Sequence, residues 1–257
     1  MAALAANFLS GISSKIDTDF IPIAVLPGQD VTNHVTRKSK KVDIGNGLRS
    51  QREAVLCTAP GTLRYRPPAH FYVEEKSCKQ YYPREGDKVV GIIEDRAGEA
   101  YRVNIFSGQP AIMSTMAFDG ASKRNKPDLK KGDVIYCCVK PVRSDVDVEV
   151  TCMATSGVKK DWSSGEAMYG GLGQGLLSRV SIYLAHNLLH PECVILKSLG
   201  EKLTFEIAIG MNGVLWIKGS DVAETVLIKN AVENSQTLSD EQTIAMVAYL
   251  IERVDKK

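Results

Sequence analysis

The chain has 257 residues, enough for two or three small cores. Its 44% hydrophobic and 24% charged content is that of folded protein and excludes a disordered chain. A formal net charge of +2 excludes a generally polycationic protein, so contact with a polyanion has to come from a local patch. The cysteines, Cys57, Cys78, Cys137, Cys138, Cys152 and Cys193, include no C-x-x-C pair. That spacing supports neither a zinc ribbon nor a thioredoxin-like site and reads as reduced, mostly buried thiols. Met1 to Phe8 has no positive residue before Lys15 and no long apolar core, which fails the signal-peptide pattern. No stretch approaches the roughly 20 apolar residues of a membrane span, so the expectation is an intracellular soluble protein with no membrane partner.

The first third, residues 1–83, reads as a small β unit whose opening 18 or so residues are loose. Ile21 to Val25, Val42 to Ile44, Ala54 to Thr58 and Thr62 to Tyr65 are short strand-like pieces, each followed by Pro or Gly turns. From Arg84 to about residue 156 the pattern becomes a barrel-like series. Gly86 to Glu94 is a strand, Arg96-Ala97-Gly98-Glu99 a turn, Ala100 to Ile105 the return, and Gln109 to Met113 a short third strand. Gly132 to Val139 and Asp145 to Cys152 complete it. In the last, Val146, Val148, Val150 and Cys152 alternate with Asp147, Glu149 and Thr151, the period of a half-buried strand. Five strands in so short a stretch suggest an OB-fold barrel.

Residues 157–257 read as an α/β unit entered through the Gly-rich Tyr169 to Gly175. Leu177, Val180, Leu184 and Leu188 share a stripe and predict a helix over 176–189, closed at His190-Pro191. A shorter helix follows from Glu192 to Leu199, then strands Leu203 to Ile209 and Val214 to Lys218 around Asn212-Gly213. Two helices finish the chain, Asp221 to Asn234 and Ser239 to Val254, the second opened by a Ser239/Gln242 capping box.

The densest chemistry lies between the barrel's third and fourth strands. From Ala121 to Lys131, five positive side chains (Lys123, Arg124, Lys126, Lys130 and Lys131) and Asn125 stand against one acid, Asp128. OB-type barrels bind single strands with one face and its loops, so this loop is a candidate phosphate grip. Contact of all five cations with phosphates implies a single-strand salt slope of about −3.5. Tyr101 is a candidate base-stacking residue on the barrel or, alternatively, a barrel-wall tyrosine; the third strand offers only Ile112-Met113-Ser114, which favours backbone tracking. Gly210-Met211-Asn212-Gly213 matches the G-x-x-G nucleic-acid clamp in letters, but it joins two strands, where Asn-Gly makes a hairpin turn. Trp216 on the return strand is then a buried anchor.

His186 and His190 have metal-pair spacing without a glutamate after the first or a third ligand, so no metal or cofactor is expected. Asp145, Asp147 and Glu149 form a row on which a metal-dependent nuclease could be argued, but they lack a convergent partner. No catalytic residues are assigned.

The order of barrel and C-terminal unit, with Phe118-Asp119-Gly120-Ala121-Ser122-Lys123-Arg124-Asn125-Lys126-Pro127 and Gly210-Met211-Asn212-Gly213-Val214-Leu215-Trp216-Ile217-Lys218, resembles the S1/KH cap subunits of the eukaryotic RNA exosome. The resemblance spans about Ile21 to Val254. It implies an S1-type OB-fold barrel and a KH-like domain behind an N-terminal β domain, and a non-catalytic subunit that binds single-stranded RNA. The implied partners are RNase PH-like ring subunits and other S1-type caps, in the nucleus and nucleolus and also the cytoplasm. It places Lys123, Arg124, Asn125 and Lys126 at the RNA entry path and packs the Gly210 to Gly213 turn against the neighbouring domain. Residues alone leave open a free-standing RNA-binding module of translation or ribosome assembly.

Overall fold

The computed structural model describes residues 23–36, 42–45, 47–52, 54–66, 69–74, 80–142, 146–154, 160–164, 167–190 and 193–254. The chain divides into two compact units, Met1–Cys78 and Lys79–Lys257.

In the first unit, β1 (Ile23–Val25) is followed by a short helix α1 (Thr32–Thr36), then β2 (Asp43–Ile44), β3 (Leu48–Gln51), β4 (Ala54–Cys57), β5 (Gly61–Arg66) and β6 (His70–Glu74). One sheet has the order β1-β5-β6-β2, with β2 parallel to β6, and β3 pairs with β4 separately. The register Leu63↔Val73 and Tyr65↔Phe71 sends alternate residues inward, so Leu63 and Phe71 are fully buried with Val25, Val31 and Val35. Helix α1 was not anticipated, because five residues rich in β-branched types carry no helical period. It exists because Asp30 accepts from the Thr32 amide at 2.9 Å and because Val31 and Val35 fill the core.

The second unit opens with a barrel-like sheet. Its strands are β7 (Lys88–Ala97), β8 (Ala100–Asn104), β9 (Ala111–Ser114), β10 (Val134–Val139) and β11 (Val150–Thr151), in the order β11-β10-β7-β8-β9. The gap between β9 and β11 is bridged by Ile112↔Glu149, with the Ile112 amide donating to the Val148 carbonyl at 2.8 Å. The hairpin between β7 and β8 is tighter than the sequence suggests: Arg96 and Ala97 pair with Tyr101 and Ala100, leaving Gly98 and Glu99 as the turn. The strand expected over 145–152 is also shorter. Val146 is 55% exposed and ladder pairing with β10 begins at Val150, so the alternation seen in sequence is realised only over Val148 to Val150, after which Thr151 is buried along with Cys152.

After a 3₁₀ turn at Trp162–Ser164, β12 (Gly170–Leu172) pairs antiparallel with β10, through Ile135↔Gly171. The Gly-rich stretch is therefore a sixth strand of the barrel sheet as well as a connector. Then follow β13 (Leu176–Arg179), α2 (Ile182–Leu188), α3 (Val194–Gly200), β14 (Phe205–Ile209), β15 (Val214–Gly219), α4 (Val222–Asn234) and α5 (Asp240–Val254). The sheet order β13-β15-β14 is antiparallel throughout, and Leu184, Leu188, Leu199, Leu215, Ile217, Ile228 and Val247 share one core with its helices. The chain is thus mainly β, with a barrel and a C-terminal α/β part, as its sequence indicates.

The helix predicted over 176–189 is half wrong. Leu176 to Arg179 are a strand because their backbone pairs with β15, Leu177 opposite Trp216, and Ser181 starts the helix by accepting from the Leu184 amide at 3.1 Å. A four-residue segment with two leucines followed by Ser178 and Arg179 is too short to fix a period, and an available sheet edge decides it. Ser239 and Gln242 do exchange the expected capping bonds, at 3.1 and 3.4 Å.

Strand β10 explains how barrel and α/β part are joined. Val134 to Val139 are almost all buried, the pattern of a strand covered on both faces. Outside the barrel, the Tyr136 ring stacks against Tyr169, centroids 5.6 Å apart, and its hydroxyl donates to the Ile209 carbonyl at 3.3 Å. The Gly210–Gly213 turn docks beside it. Met211 donates its amide to the Lys88 carbonyl (2.8 Å), and the Asn212 Nδ2 donates to the Val90 and Ile105 carbonyls (2.8 Å each). A Cβ on Gly210 would fall 2.7 Å from the Val90 nitrogen, and Gly213 has φ +74°, so both glycines are required by the contact and the turn. Arg179 adds a cation–π contact, its guanidinium 4.9 Å from the Phe106 ring centre. Nearby, Asp87 accepts from the Tyr81 hydroxyl (2.7 Å) and the Arg84 amide (3.2 Å), and burial pushes its carboxyl above the usual range.

Asn212→Ala leaves buried backbone groups of Val90 and Ile105 without partners and is expected to destabilise the second unit by about 1–3 kcal/mol, measured by urea unfolding. Because the folded-state pKa of Asp87 is raised, its charged form costs stability as pH rises above its unfolded value. Asp87→Asn is therefore expected to gain stability over wild type as pH is raised from about 4 to about 7, checked by denaturation at both ends.

Candidate nucleic-acid interface

The loop between β9 and β10 is anchored at three levels. At its root Phe118 is 2% exposed and bridges Cys152, whose amide donates to the Ala117 carbonyl at 2.8 Å. Asp119, also buried, ties in the following segment: its Oδ2 accepts from the Ala154 amide (2.7 Å) and its carbonyl from the Trp162 amide (3.0 Å). At the tip, Ser122 and Asn125 exchange backbone bonds of 2.8 and 3.2 Å, and the Ser122 hydroxyl accepts again from Asn125 at 3.1 Å. On the return, Lys130 donates its amide to the Asp133 carboxylate at 2.7 Å, and Gly132 and Asp133 pair with Ile93 of β7.

Tyr101 supplies the middle anchor and corrects one expectation. It is 1% exposed, so no ring face is open to a base, and the base-platform reading fails. Its position facing the barrel interior follows from the strand period, with Val103 buried beside it and Arg102 exposed between them. The hydroxyl reaches out of the wall to donate to the Pro127 carbonyl (3.1 Å) and accept from the Leu129 amide (3.3 Å). Tyr101 thus positions the loop that carries the cations.

With backbone fixed at root, middle and tip, the polar side chains turn outward. Lys123, Arg124, Asn125, Lys130 and Lys131 are exposed and Lys126 is half-buried. The one acid among them, Asp128, is held by Arg96 at 2.8 Å, and that guanidinium also lies 5.6 Å from the centre of the Tyr101 ring. Among the described residues none of the five cations meets a carboxylate within ion-pair distance. Arg96 escapes a reading of the sequence because it lies in what looks like a turn and 32 residues from its partner. The arrangement can hold a polyanion by charge, with little to read base identity.

The other candidates fall elsewhere. Trp216 is 4% exposed and donates its indole N–H to the Gly173 carbonyl at 3.2 Å, an anchor between β15 and the glycine-rich strand connection. Gly210 to Gly213 form the docked hairpin described above, with no route for a clamp on nucleic acid. Glu149 is paired with Lys140 at 3.0 Å, Asp147 is exposed, and Asp145 lies outside the described residues. Among the described residues no three His, Cys, Asp or Glu side chains converge on a metal position. Cys57, Cys137, Cys138 and Cys152 are buried free thiols, and burial raises the Cys137 and Cys152 thiols; Cys193 is half-buried and Cys78 lies outside the described residues.

Residues 81–162 match the family described as the S1 domain of exosome complex component RRP40, and residues 175–223 match the KH domain family. The exosome complex component RRP40 of Drosophila melanogaster is 36% identical over 81% of this chain and 87% of its own length. The chain belongs to the RRP40 family of exosome complex components. The RRP40 of Mus musculus is 33% identical over 86% of this chain and 80% of its own, and that of Homo sapiens 28% identical over 98% of both. A solved structure described as an exosome complex RNA-binding protein aligns with a TM-score of 0.55 over 70% of this chain and all of its own, and at 20% identity it supports the fold. Within the RRP40 family the barrel is thus the S1 domain and the C-terminal part the KH domain. No helix among the described residues is long and apolar enough to cross a membrane.

Tyr101→Phe removes both loop bonds from a buried hydroxyl site and is expected to cost about 1–3 kcal/mol and to speed proteolytic cleavage within 121–131. Limited proteolysis beside thermal unfolding checks both.

Proposed function

We propose that the chain is a non-catalytic RNA-binding cap subunit of the RNA exosome, whose S1 barrel guides single-stranded RNA toward the central channel for 3′-to-5′ processing and degradation. The observation that carries this reading is the loop of outward cations held by Tyr101, Asp119 and Arg96 on an S1 domain of the RRP40 family. Lys123, Arg124, Asn125 and Lys126 make the principal contacts, with Lys130 and Lys131 behind them. Family membership supports RNase PH-like ring subunits and other S1-type caps as partners, and action in the nucleus and nucleolus and also in the cytoplasm. Three domains, residues 1–83, 84–156 and 157–257, serve this role, the first and third holding position on partner subunits. The family supports the same division of labour for catalysis, which separate nucleases supply.

Reversing Lys123, Arg124 and Lys126 to Glu is expected to weaken single-stranded RNA binding by the assembled complex and to flatten its salt dependence by about 2 units of slope, while subunit stoichiometry is kept. Filter binding across a salt series with mass spectrometry of the purified complex measures both. RNA binding unchanged in an intact complex would remove the loop from the RNA path.

A further inference from the structure

Among the described residues no barrel strand from β7 to β11 carries an exposed aromatic, and Tyr82, 55% exposed, precedes the barrel. Tyr101 faces inward, and β9 presents Ile112 and Ser114 on its outer side. A charged loop alone holds phosphates and leaves the bases unsupported. One large aromatic does lie beside that loop: Trp162, in the 3₁₀ turn after the barrel. Its amide donates to the Asp119 carbonyl at 3.0 Å, which ties it to the loop root. The preceding residue makes the attachment closer still, since a Cβ on Gly120 would fall 2.6 Å from the Asp161 carboxylate. Asp161 also holds the turn in shape, accepting from the Ser163 amide (3.0 Å) and hydroxyl (2.8 Å).

Unlike Trp216, which is 4% exposed with its N–H satisfied, Trp162 is only half-buried. Its indole nitrogen is buried with no hydrogen-bond partner among the described residues, while the residue as a whole is partly exposed. Met153, 41% exposed, comes from the segment that Asp119 ties to the same root. A partly exposed tryptophan on a hydrogen-bonded turn, tied to the root of a cation-bearing loop, brings together an aromatic side chain for a base and charges for the flanking phosphates.

We propose that Trp162 is the base-stacking platform of the S1 domain, taking one nucleobase of the single-stranded RNA whose phosphates the Lys123–Lys126 loop holds. This rests on the RNA-binding reading above. Stacking engages the π-face common to all bases, so it adds affinity without sequence preference.

The chain's two tryptophans make the test direct, because Trp216 is buried and a quench of emission by a bound base reports Trp162. The full chain is titrated with an oligouridylate and, separately, with an abasic ribose-phosphate oligomer of equal length, following both emission and anisotropy. Oligouridylate is expected to quench emission and the abasic oligomer to bind without quenching. Trp162→Ala is expected to weaken oligouridylate binding roughly 5- to 150-fold and leave abasic binding unchanged, with Trp162→Phe retaining most affinity. Oligouridylate binding that the Glu reversals abolish but Trp162→Ala leaves within about twofold, with no quench, overturns the stacking role and keeps the loop. Absence of binding to either oligomer, with reversals silent in the assembled complex, overturns both.

Discussion

One buried amide, Asn212, sets the frame for the rest of the second unit. At 4% exposure its side chain spends both donors and its acceptor on the barrel, at Val90 and Ile105. Buried polar groups are tolerated when each has a partner, and here the partners lie on the barrel, in β7 and just past β8. The hairpin that carries Asn212 is therefore complete only against β7. The same strand, five residues on from Lys88, pairs through Ile93 with Gly132 and Asp133, where the basic loop returns to the sheet. KH hairpin, barrel wall and loop base share one strand as their common support.

The basic loop illustrates how a protein of nearly neutral charge presents a cationic edge. The acid inside the segment is neutralised by an arginine from a neighbouring hairpin, and the backbone is tied by bonds that consume no lysine or arginine side chain of the loop. The cations remain hydrated until a polyanion arrives, so little desolvation opposes binding and the long side chains keep their freedom. On the function proposed above, such a surface would track an RNA backbone and let it move on, in keeping with threading rather than retention.

Much of this was legible in the sequence. The strands of the barrel, the two C-terminal helices, the capping box and the cationic run declare themselves through period, turn residues and charge. The Asn-Gly signal outweighed the G-x-x-G letters because it states a backbone requirement, φ > 0 at Gly213, whereas the letters state only a resemblance. What stayed hidden was decided by partners distant in the chain. Leu176 to Arg179 became a strand through β15, Gly170 to Leu172 through β10, and Arg96 an ion-pair partner through a residue in another loop. Tyr101 was ambiguous for a different reason, since a strand aromatic fits either face and only the register against β7 and β9 assigns it. Trp162, in a stretch without period, gives no sign of lying near Asp119.

Strand β10 has a consequence for dissection of the chain. Its upper half, Val134 to Tyr136, is hydrogen-bonded on one side to β7 and on the other to β12, which comes from beyond the barrel in sequence. A fragment ending with the fifth barrel strand strips that edge bare and also uncovers the Tyr136 face on which Tyr169 and Ile209 rest. A bare edge beside a newly exposed aromatic surface is a template for strand addition between copies. Cut free at that point, the S1 barrel is expected to pair edge to edge with its own copies.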